Sequence, residues 1–583
     1  MASRSTSRCL KLVLVLIFIT CVINMAIHHF KPTHHHQIKL VTVGAVAADS
    51  QRCSLIGKNI LEAGGSSVDS AIATLLCCGV QHPHSSGIGG GGVFIIYDHK
   101  LKKSVVIDGK TPAPYKANRS HFPIYTSIHS TGPLSIGIPN EIVAFWEAHQ
   151  RYGKLPWEDL FAPAIAMLKN GVPFSKDSEN KLNYMTIVLL EKHNVTLHKM
   201  FPGICELFCH ENGEVKKEGE IIYRPHLLRT LKKIAEHGAD YLYKGEGAEL
   251  LISDLQKEGA VLTLEDLEDF RPSIYDAYKH EFEHFVLTST DGPHFGIILA
   301  FILRVLEGYN ITNDHFKPDK VIPTYHLLTE IMKWAGAYSK RIGDPKFAPG
   351  LEEFMQSLGT EEMAARVRKR INLVRTEDRE YYTNVTTDDL QLQLHGTTHV
   401  SILGTDGDAV SATSSINNYF GSLIYSKSTG IILNNSMKSF NNKNGSHNMI
   451  VPGKIAKTGQ SPSILLDKND DLLMVIGASG GDRIATSLAQ ALLGIFWLNQ
   501  TLEEAIRPKR IHFDFRAYKL LYETGFAQNI LDALENKYGH VLLERDRYMS
   551  NIQAVYKNPI THQIDAFSDE RKGGHASLIQ REI

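Results

Sequence analysis

The spacing of apolar and polar positions divides the chain. In "DSQRCSLIGKNILEAGGSSVDSAIATLLCCGV" apolar residues recur at helical spacing on either side of a Gly-Gly break, which predicts two helices. "GGVFIIYD" and "SVVIDG" follow as the strands of a hairpin. The next part is helical. "NEIVAFWEAHQRYG", "WEDLFAPAIAMLKNG", "HLLRTLKKIAEHG" and "GIILAFILRVLEGYN" keep the helical spacing and close near glycine or asparagine. Residues 366–396 are charged and polar, as an exposed linker would be. From Thr397 strands dominate: "THVSILGTDGDAVSATSSI" alternates around Asp-Gly and "SILLDKNDDLLMVIG" around Asn-Asp, two further predicted hairpins.

The first apolar run is of another kind. Arg4, Arg8 and Lys11 precede residues 12–27, which are apolar apart from Thr20, Cys21 and Asn24, the order of a signal peptide or signal anchor. No small-x-small cleavage site follows before "HHFKPTHHH", so the expectation is an uncleaved type II anchor. Residues 1–11 would then be cytoplasmic, 12–27 the anchor, 28–42 a stalk, and the body extracellular; a secreted product is the alternative. His28, His29, His34, His35 and His36 read as part of that stalk, since no carboxylate or cysteine accompanies them at ligand spacing. Glycosylation sequons begin at Asn118, Asn194, Asn310, Asn384, Asn434, Asn444 and Asn499, which permits that compartment. Beyond Cys9 and Cys21, the cysteines Cys53, Cys77, Cys78, Cys205 and Cys209 allow two disulfides and one free thiol. Cys205-x3-Cys209 lacks the partner pair that a zinc site needs.

Composition narrows the partners. At 583 residues, 43% apolar and 21% charged, the chain is an ordinary globular one. Its net charge of −1 supplies no field for nucleic acid.

Three motifs carry chemistry. Gly87 to Gly92 satisfies G-x-G-x-x-G but follows "HPHSS" and opens a strand, the reverse of a dinucleotide fingerprint, so it reads as a tight packing turn. Gly477-Ala478-Ser479-Gly480-Gly481 satisfies G-x-S-x-G between a strand and a helix, which makes a serine hydrolase using Ser479, with Asp565 and His575 behind it, a rival reading. Its glycines alternatively offer backbone N–H groups as an oxyanion hole. Third, a chain cut before Thr397 gains an α-amino group of ordinary pKa about 7.7–8.0 beside that residue's hydroxyl. Nucleophile and base then share one residue, the threonine form of nucleophilic catalysis.

The chain resembles the γ-glutamyltransferases (γ-glutamyl transpeptidases, glutathione hydrolases), which are N-terminal nucleophile hydrolases. The resemblance spans about residues 43–574 and is carried by "AVAADSQRCSLIG", "VDSAIATLLC", "HSSGIGGGGVFIIY", "PNEIVAFWEAHQRYGKLPW", "LEDLEDFRP", "RIGDPKF", "GTTHVSI", "DGDAVSATSSINNYFGS", "GIILNN", "GASGG" and "SDERKGG". It implies an α+β fold, an αββα four-layer sandwich, formed by a large subunit (43–396) and a small catalytic subunit (397–583) after self-cleavage between Gly396 and Thr397. By similarity Thr397 attacks the γ-carbonyl of glutathione or another γ-glutamyl compound, and the group passes to water, an amino acid or a dipeptide. No cofactor or metal is implied. Gly480 and Gly481 match the oxyanion-hole glycines, Ser415 stands where a threonine commonly assists the nucleophile, and Asn417 matches a residue binding the donor's α-amino group. Cys53–Cys77 and Cys205–Cys209 are the implied disulfides.

The departures fall in donor recognition. Lys110 replaces an arginine that grips the α-carboxylate, losing the bidentate fork. Ser436 and Ser439 replace an acidic pair that binds the α-ammonium, with Lys438 between them, and Thr458-Gly459 replaces two serines. Charge-assisted contacts contribute about 1.5–3 kcal/mol each, so losing two or three weakens donor binding by several powers of ten at about 1.4 kcal/mol per decade. A catalytically impaired homologue that binds γ-glutamyl compounds is therefore the alternative function.

Overall fold

The structure, a computed structural model, describes residues 3–29, 40–118, 120, 131–383, 395–441, 445–545 and 549–582. It divides into two units, residues 1–41 with 580–583, and residues 42–579. The first contains the helix Ser3–His29. Among the described residues no helix is long and apolar enough to cross a membrane. The apolar run is broken by Thr20, Cys21 and Asn24 and is shorter than the roughly 20 residues of a full span, so the anchor rests on the sequence pattern alone.

The second unit is built on two sheets. One has the strand order His575–Glu582, Leu40–Ala48, His395–Leu403, Ala409–Asn418, Gly91–Asp98, Lys103–Asp108, Ser273–Asp276. The other has the order Ile564–Ser568, Asn551–Lys557, Leu472–Ser479, Ser463–Leu466, Val286–Ser289, Tyr278–Glu281. Both hairpins read after Thr397 are present, as is the 91–98/103–108 pair, all antiparallel.

Successive side chains of a strand point to opposite faces, and here both faces are covered. Val46, Phe94, Ile96, Val400 and Ile402 turn outward into a cluster with the helices Gln51–Glu62, Ser67–Gln81, Glu141–Tyr152, Trp157–Asn170 and Pro225–His237. On the second sheet Leu465, Met474, Ile476 and Ala554 pack against Gly296–Glu307, Val321–Ser339 and Ile484–Phe496. Between the sheets lie Ala45, Val93, Ile95, Leu403, Ile464, Val475 and Val555. The layers are helix, sheet, sheet, helix, the expected αββα sandwich.

One stretch of this interior is polar. Along 395–403 and 409–418 the inward polar residues are Thr397, His399, Ser401, Ser411, Thr413 and Ser415, all buried. His399 bonds Thr413 Oγ1 at 2.8 Å and Ser401 Oγ at 3.0 Å. Burial pushes its pKa down to about 3, so it is a neutral packing group. Gly477 on the facing sheet makes room for it: a Cβ there would stand 2.1 Å from the imidazole.

Both implied disulfides form. Cys53–Cys77 ties helix Gln51–Glu62 to helix Ser67–Gln81, Cys205–Cys209 closes the short helix Pro202–Phe208, and Cys78 is a buried free thiol.

Two sequence readings need correction. Residues 366–383 are not a plain exposed linker. Helix Glu361–Arg370 runs into them, and Ile371 and Tyr382 are buried, Tyr382 giving its hydroxyl to Glu330 at 2.5 Å. Charge on the surface side hid this docking; residues 384–394 lie outside the described residues. The sequon at Asn434 is also structural. Its side chain is fully buried and donates to the carbonyls of Gly89 and Gly137 at 2.8 and 2.9 Å, so a glycan has no place there. Asn118, Asn194, Asn310 and Asn499 are exposed; Asn384 and Asn444 lie outside the described residues.

Candidate active site

Strand register gathers the candidate residues at one end of the sandwich. Ser415 is opposite Thr397 on one side and Gly91 on the other, and two residues on, Val93 is opposite Asp108, which leads to Lys110. A bulge between Ser415 and Asn417 brings Asn417, at φ 78°, opposite Gly396.

Thr397 is 5% exposed, and its Oγ1 lies 3.2 Å from Ser415 Oγ. The Ser415 hydroxyl donates to the Gly396 carbonyl and accepts from the Asn417 N–H at 2.8 Å. Gly396 is sterically required: a Cβ would stand 2.4 Å from the His84 carbonyl oxygen and 2.7 Å from that of Asn418. On the other side Lys572 donates to the Thr397 carbonyl at 2.9 Å and to Asp49 at 2.6 Å, while Gln553 donates to the second Asp49 oxygen at 2.7 Å. Asp49 and Lys572 are 523 positions apart, both in stretches that carry the family resemblance, but no local spacing announces their pairing.

Gly480 and Gly481 follow the strand Leu472–Ser479 at φ 138° and 64°, in backbone that only glycine adopts without strain. Gly459 packs directly on this turn, its missing Cβ leaving room for the Gly481 carbonyl. Ser479 itself is 3% exposed and its hydroxyl faces the Asn551 amide at 3.3 Å, whereas Asp565 and His575 are exposed. The serine-hydrolase triad is not assembled.

The donor-side residues form a second, linked cluster. Lys110 Nζ lies 3.4 Å from both Ser436 Oγ and Thr111 Oγ1, and the Thr111 hydroxyl bonds Ser436. Burial pushes Lys110 down to about 8, against the pull of Asp108 and Glu141. Burial pushes Glu141 up to about 8. Ser439 donates to Asn417 Oδ1 at 3.2 Å, and the Asn417 amide donates to the Asn435 carbonyl at 2.9 Å. Thr458 bridges to His294, which holds Asp108 at 2.9 Å. Asn417, Ser439 and Thr458 are part-exposed and so border solvent, while Lys110 and Ser436 are buried.

Sequence reasoning passed over a third polar group, His326, Glu330 and His540, whose candidate ligand atoms lie within 4.8 Å of one another. Glu330 already accepts from the Thr376 and Tyr382 hydroxyls, and Lys333 stands 3.9 Å from it. The group therefore docks residues 372–382 and carries its own cation.

Two face-to-face sheets between helical layers, with Gly396-Thr397 near the head of a central strand and two left-handed glycines beside it, have the arrangement of an N-terminal nucleophile hydrolase. Residues 53–579 match the sequence model for gamma-glutamyltranspeptidase. The chain belongs to the gamma-glutamyltranspeptidase family. Glutathione hydrolase 5 proenzyme of Mus musculus is 34% identical over 546 residues, 92% of each chain. Scoloptoxin SSD14 of Scolopendra dehaani is 35% identical over 543 residues, 91% of each chain. Cephalosporin acylase from Bacillus halodurans shares the fold, with a TM-score of 0.79 at 22% identity over 94% of this chain and 99% of that one.

Proposed function

We propose that the chain is the precursor of a γ-glutamyltransferase that hydrolyses glutathione and related γ-glutamyl compounds or transfers their γ-glutamyl group. The observation that carries this reading is the contact of Ser415 with both Thr397 Oγ1 and the Gly396 carbonyl.

Self-cleavage follows from that contact. The Thr397 hydroxyl attacks the Gly396 carbonyl carbon, the Ser415 hydroxyl polarises the carbonyl, the C–N bond breaks and an ester forms. Water then hydrolyses the ester, leaving a Gly396 carboxylate and a Thr397 amine. The large subunit (43–396) and small subunit (397–583) remain one folded body. In turnover the Thr397 amine takes the proton from its own hydroxyl, which attacks the γ-carbonyl of the donor. The backbone N–H groups of Gly480 and Gly481 receive the oxyanion. The departing amine takes the proton, and the threonine ester passes its acyl group to water or to an acceptor amine.

Donor binding falls to Lys110, Thr458 and Gly459 at the α-carboxylate, and to Asn417, Ser436 and Ser439 at the α-ammonium. With Lys110 titrating near 8 and no acid at 436 or 439, the grip is weaker than the family pattern implies. That same weakness favours a second reading, a binder of γ-glutamyl compounds with little turnover. The basic residues before the apolar run support a type II anchor with the body extracellular.

Intact mass and N-terminal sequencing of the purified, deglycosylated protein test the proposal. A new terminus beginning Thr397-Thr398-His399, with glutathione turnover lost in Thr397→Ala, is the expected result. A single uncut chain would overturn it in favour of the binder.

A further inference from the structure

The side chains of the donor cluster carry charge of one sign. Asn417 is paired with Ser439 and with the Asn435 carbonyl, and Ser436 with Thr111 and Lys110, so every side-chain partner is neutral or cationic. Lys438 sits between the two serines in the single turn Ser436–Ser439. Lys457 follows through Asn448, whose amide donates to the Ser439 carbonyl at 2.7 Å and whose Oδ1 accepts from the Lys457 N–H at 2.9 Å. The Lys454 carbonyl accepts from the N–H of Ala113, just beyond Lys110, at 2.9 Å. Lysines 110, 438, 454 and 457 thus all stand on the segments that build the cluster.

The carboxylates on and beside those segments are engaged elsewhere. Asp108 holds His294 at 2.9 Å and accepts from the Lys110 N–H at 3.0 Å. Asp344 accepts from the N–H groups of Ile455 and Lys346, each at 3.1 Å. Asp291 takes the Gly292 N–H at 2.6 Å, and Asp482 faces Arg516 at 3.5 Å. Glu141, bonded by Ser414 and attracted by Lys110, is pushed by burial up to about 8, so at neutral pH it is mainly protonated. Among the described residues none of these acids is bonded to Asn417, Ser436 or Ser439.

One buried cation without a free anion suits a single carboxylate. A γ-glutamyl donor brings that carboxylate together with an α-ammonium, which would lie among Asn417, Ser436 and Ser439 beside Lys438. Like charges in a partly buried site repel more than they do in water, and an amide and two hydroxyls supply no counter-charge.

We propose that the site prefers a donor that keeps the carboxylate and lacks the ammonium: an N-glutaryl amide, which is the γ-glutamyl amide with hydrogen in place of its α-amino group. The inference rests on the reading of Thr397 as nucleophile. Its hydroxyl adds to the acyl carbonyl, the C–N bond breaks, and the departing amine takes the hydroxyl proton. Water then hydrolyses the glutaryl–threonine ester to glutarate and the free hydroxyl. Glutathione remains a substrate, and a slower one.

The test compares kcat/KM of the self-cleaved protein for N-glutaryl-p-nitroanilide and γ-L-glutamyl-p-nitroanilide, which release the same amine. The glutaryl compound is expected to be favoured by about tenfold, the effect of one like-charge contact. Equal values, or a preference for the glutamyl compound, overturn the inference. Ser439→Asp, at a part-exposed position, supplies an anion and should improve the glutamyl compound alone, lowering the ratio by about tenfold. Lys438→Gln should move the ratio the same way by a smaller factor, and a ratio unmoved in both variants also overturns the inference. If the chain turns over neither compound, calorimetric titration with glutarate and L-glutamate decides. Glutarate bound more tightly would end the transferase reading and keep the preference as that of a binder, whereas glutarate bound no more tightly, or not at all, would end the preference too.

Discussion

Ser415 Oγ lies 3.2 Å from Thr397 Oγ1 while its hydroxyl donates to the Gly396 carbonyl, so one side chain touches both the attacking oxygen and the carbonyl to be attacked. Removing it leaves the nucleophile but takes away the donor. Ser415→Ala is expected to slow self-cleavage by about 10²-fold, toward the lower end of what one oxyanion donor supplies. Ser415→Thr keeps the hydroxyl and should cut normally. A gel time course of newly made protein reads both, and equal rates for Ser415→Ala and wild type would refute the role.

Lys110 sets a pH limit. Its ammonium is present below about 8 and is lost as pH rises through that value, because burial disfavours the charged form. The Thr397 amine, of ordinary pKa about 7.7–8.0, must be unprotonated and gives the opposite limb. The profile of kcat/KM for glutathione should therefore be a narrow bell near pH 8. Lys110→Arg holds its charge throughout and should extend the alkaline side by at least one pH unit. An unmoved alkaline limb would show that Lys110 does not meet the donor's carboxylate.

Asp49 and Lys572 form a buried pair on the Thr397 carbonyl. Asp49→Asn leaves the ammonium buried and uncompensated, and should lower unfolding free energy by about 3–5 kcal/mol. Denaturant unfolding measures it. A loss under about 1 kcal/mol would mean the charge is solvated or compensated elsewhere.

Ser479 faces an asparagine amide rather than a histidine. Ser479→Ala should leave both self-cleavage and turnover within about twofold of wild type, the small effect expected where no reacting atom is touched. Loss of turnover would revive the serine-hydrolase reading.

The disulfide Cys53–Cys77 closes a loop over a sequence separation of 24. Replacing both cysteines by alanine should cost about 3 kcal/mol on the chain-entropy account. Thermal unfolding of the double variant checks it, and an unchanged midpoint would put the bridge's contribution elsewhere.

The helices and hairpins were legible because apolar spacing is local. Val400 and Ile402 alternate with His399 and Ser401, and that alternation alone predicts a strand. It cannot say that the polar face turns inward, since that depends on Gly477 of a distant strand making room for His399. The nucleophile, its helper serine and the glycine turn were named through resemblance, and the fold brings Thr397 and Ser415 together by register across a bulge. The Asp49–Lys572 clasp was not legible, because it is defined by two residues far apart in sequence. Asn434 shows the reverse failure: a perfect sequon whose amide is already spent on two carbonyls.

The strand order has a consequence for any product of cutting at Gly396–Thr397. In the first sheet Leu40–Ala48 lies between His575–Glu582 and His395–Leu403, and Ala409–Asn418 adjoins Gly91–Asp98, so segments from either side of the cut alternate across one ladder. The second sheet joins Ser463–Leu466 to Val286–Ser289 in the same way. Two polypeptides interleaved like this have no surface along which to come apart. They would stay together at any dilution, and separating them would be the same event as unfolding the protein.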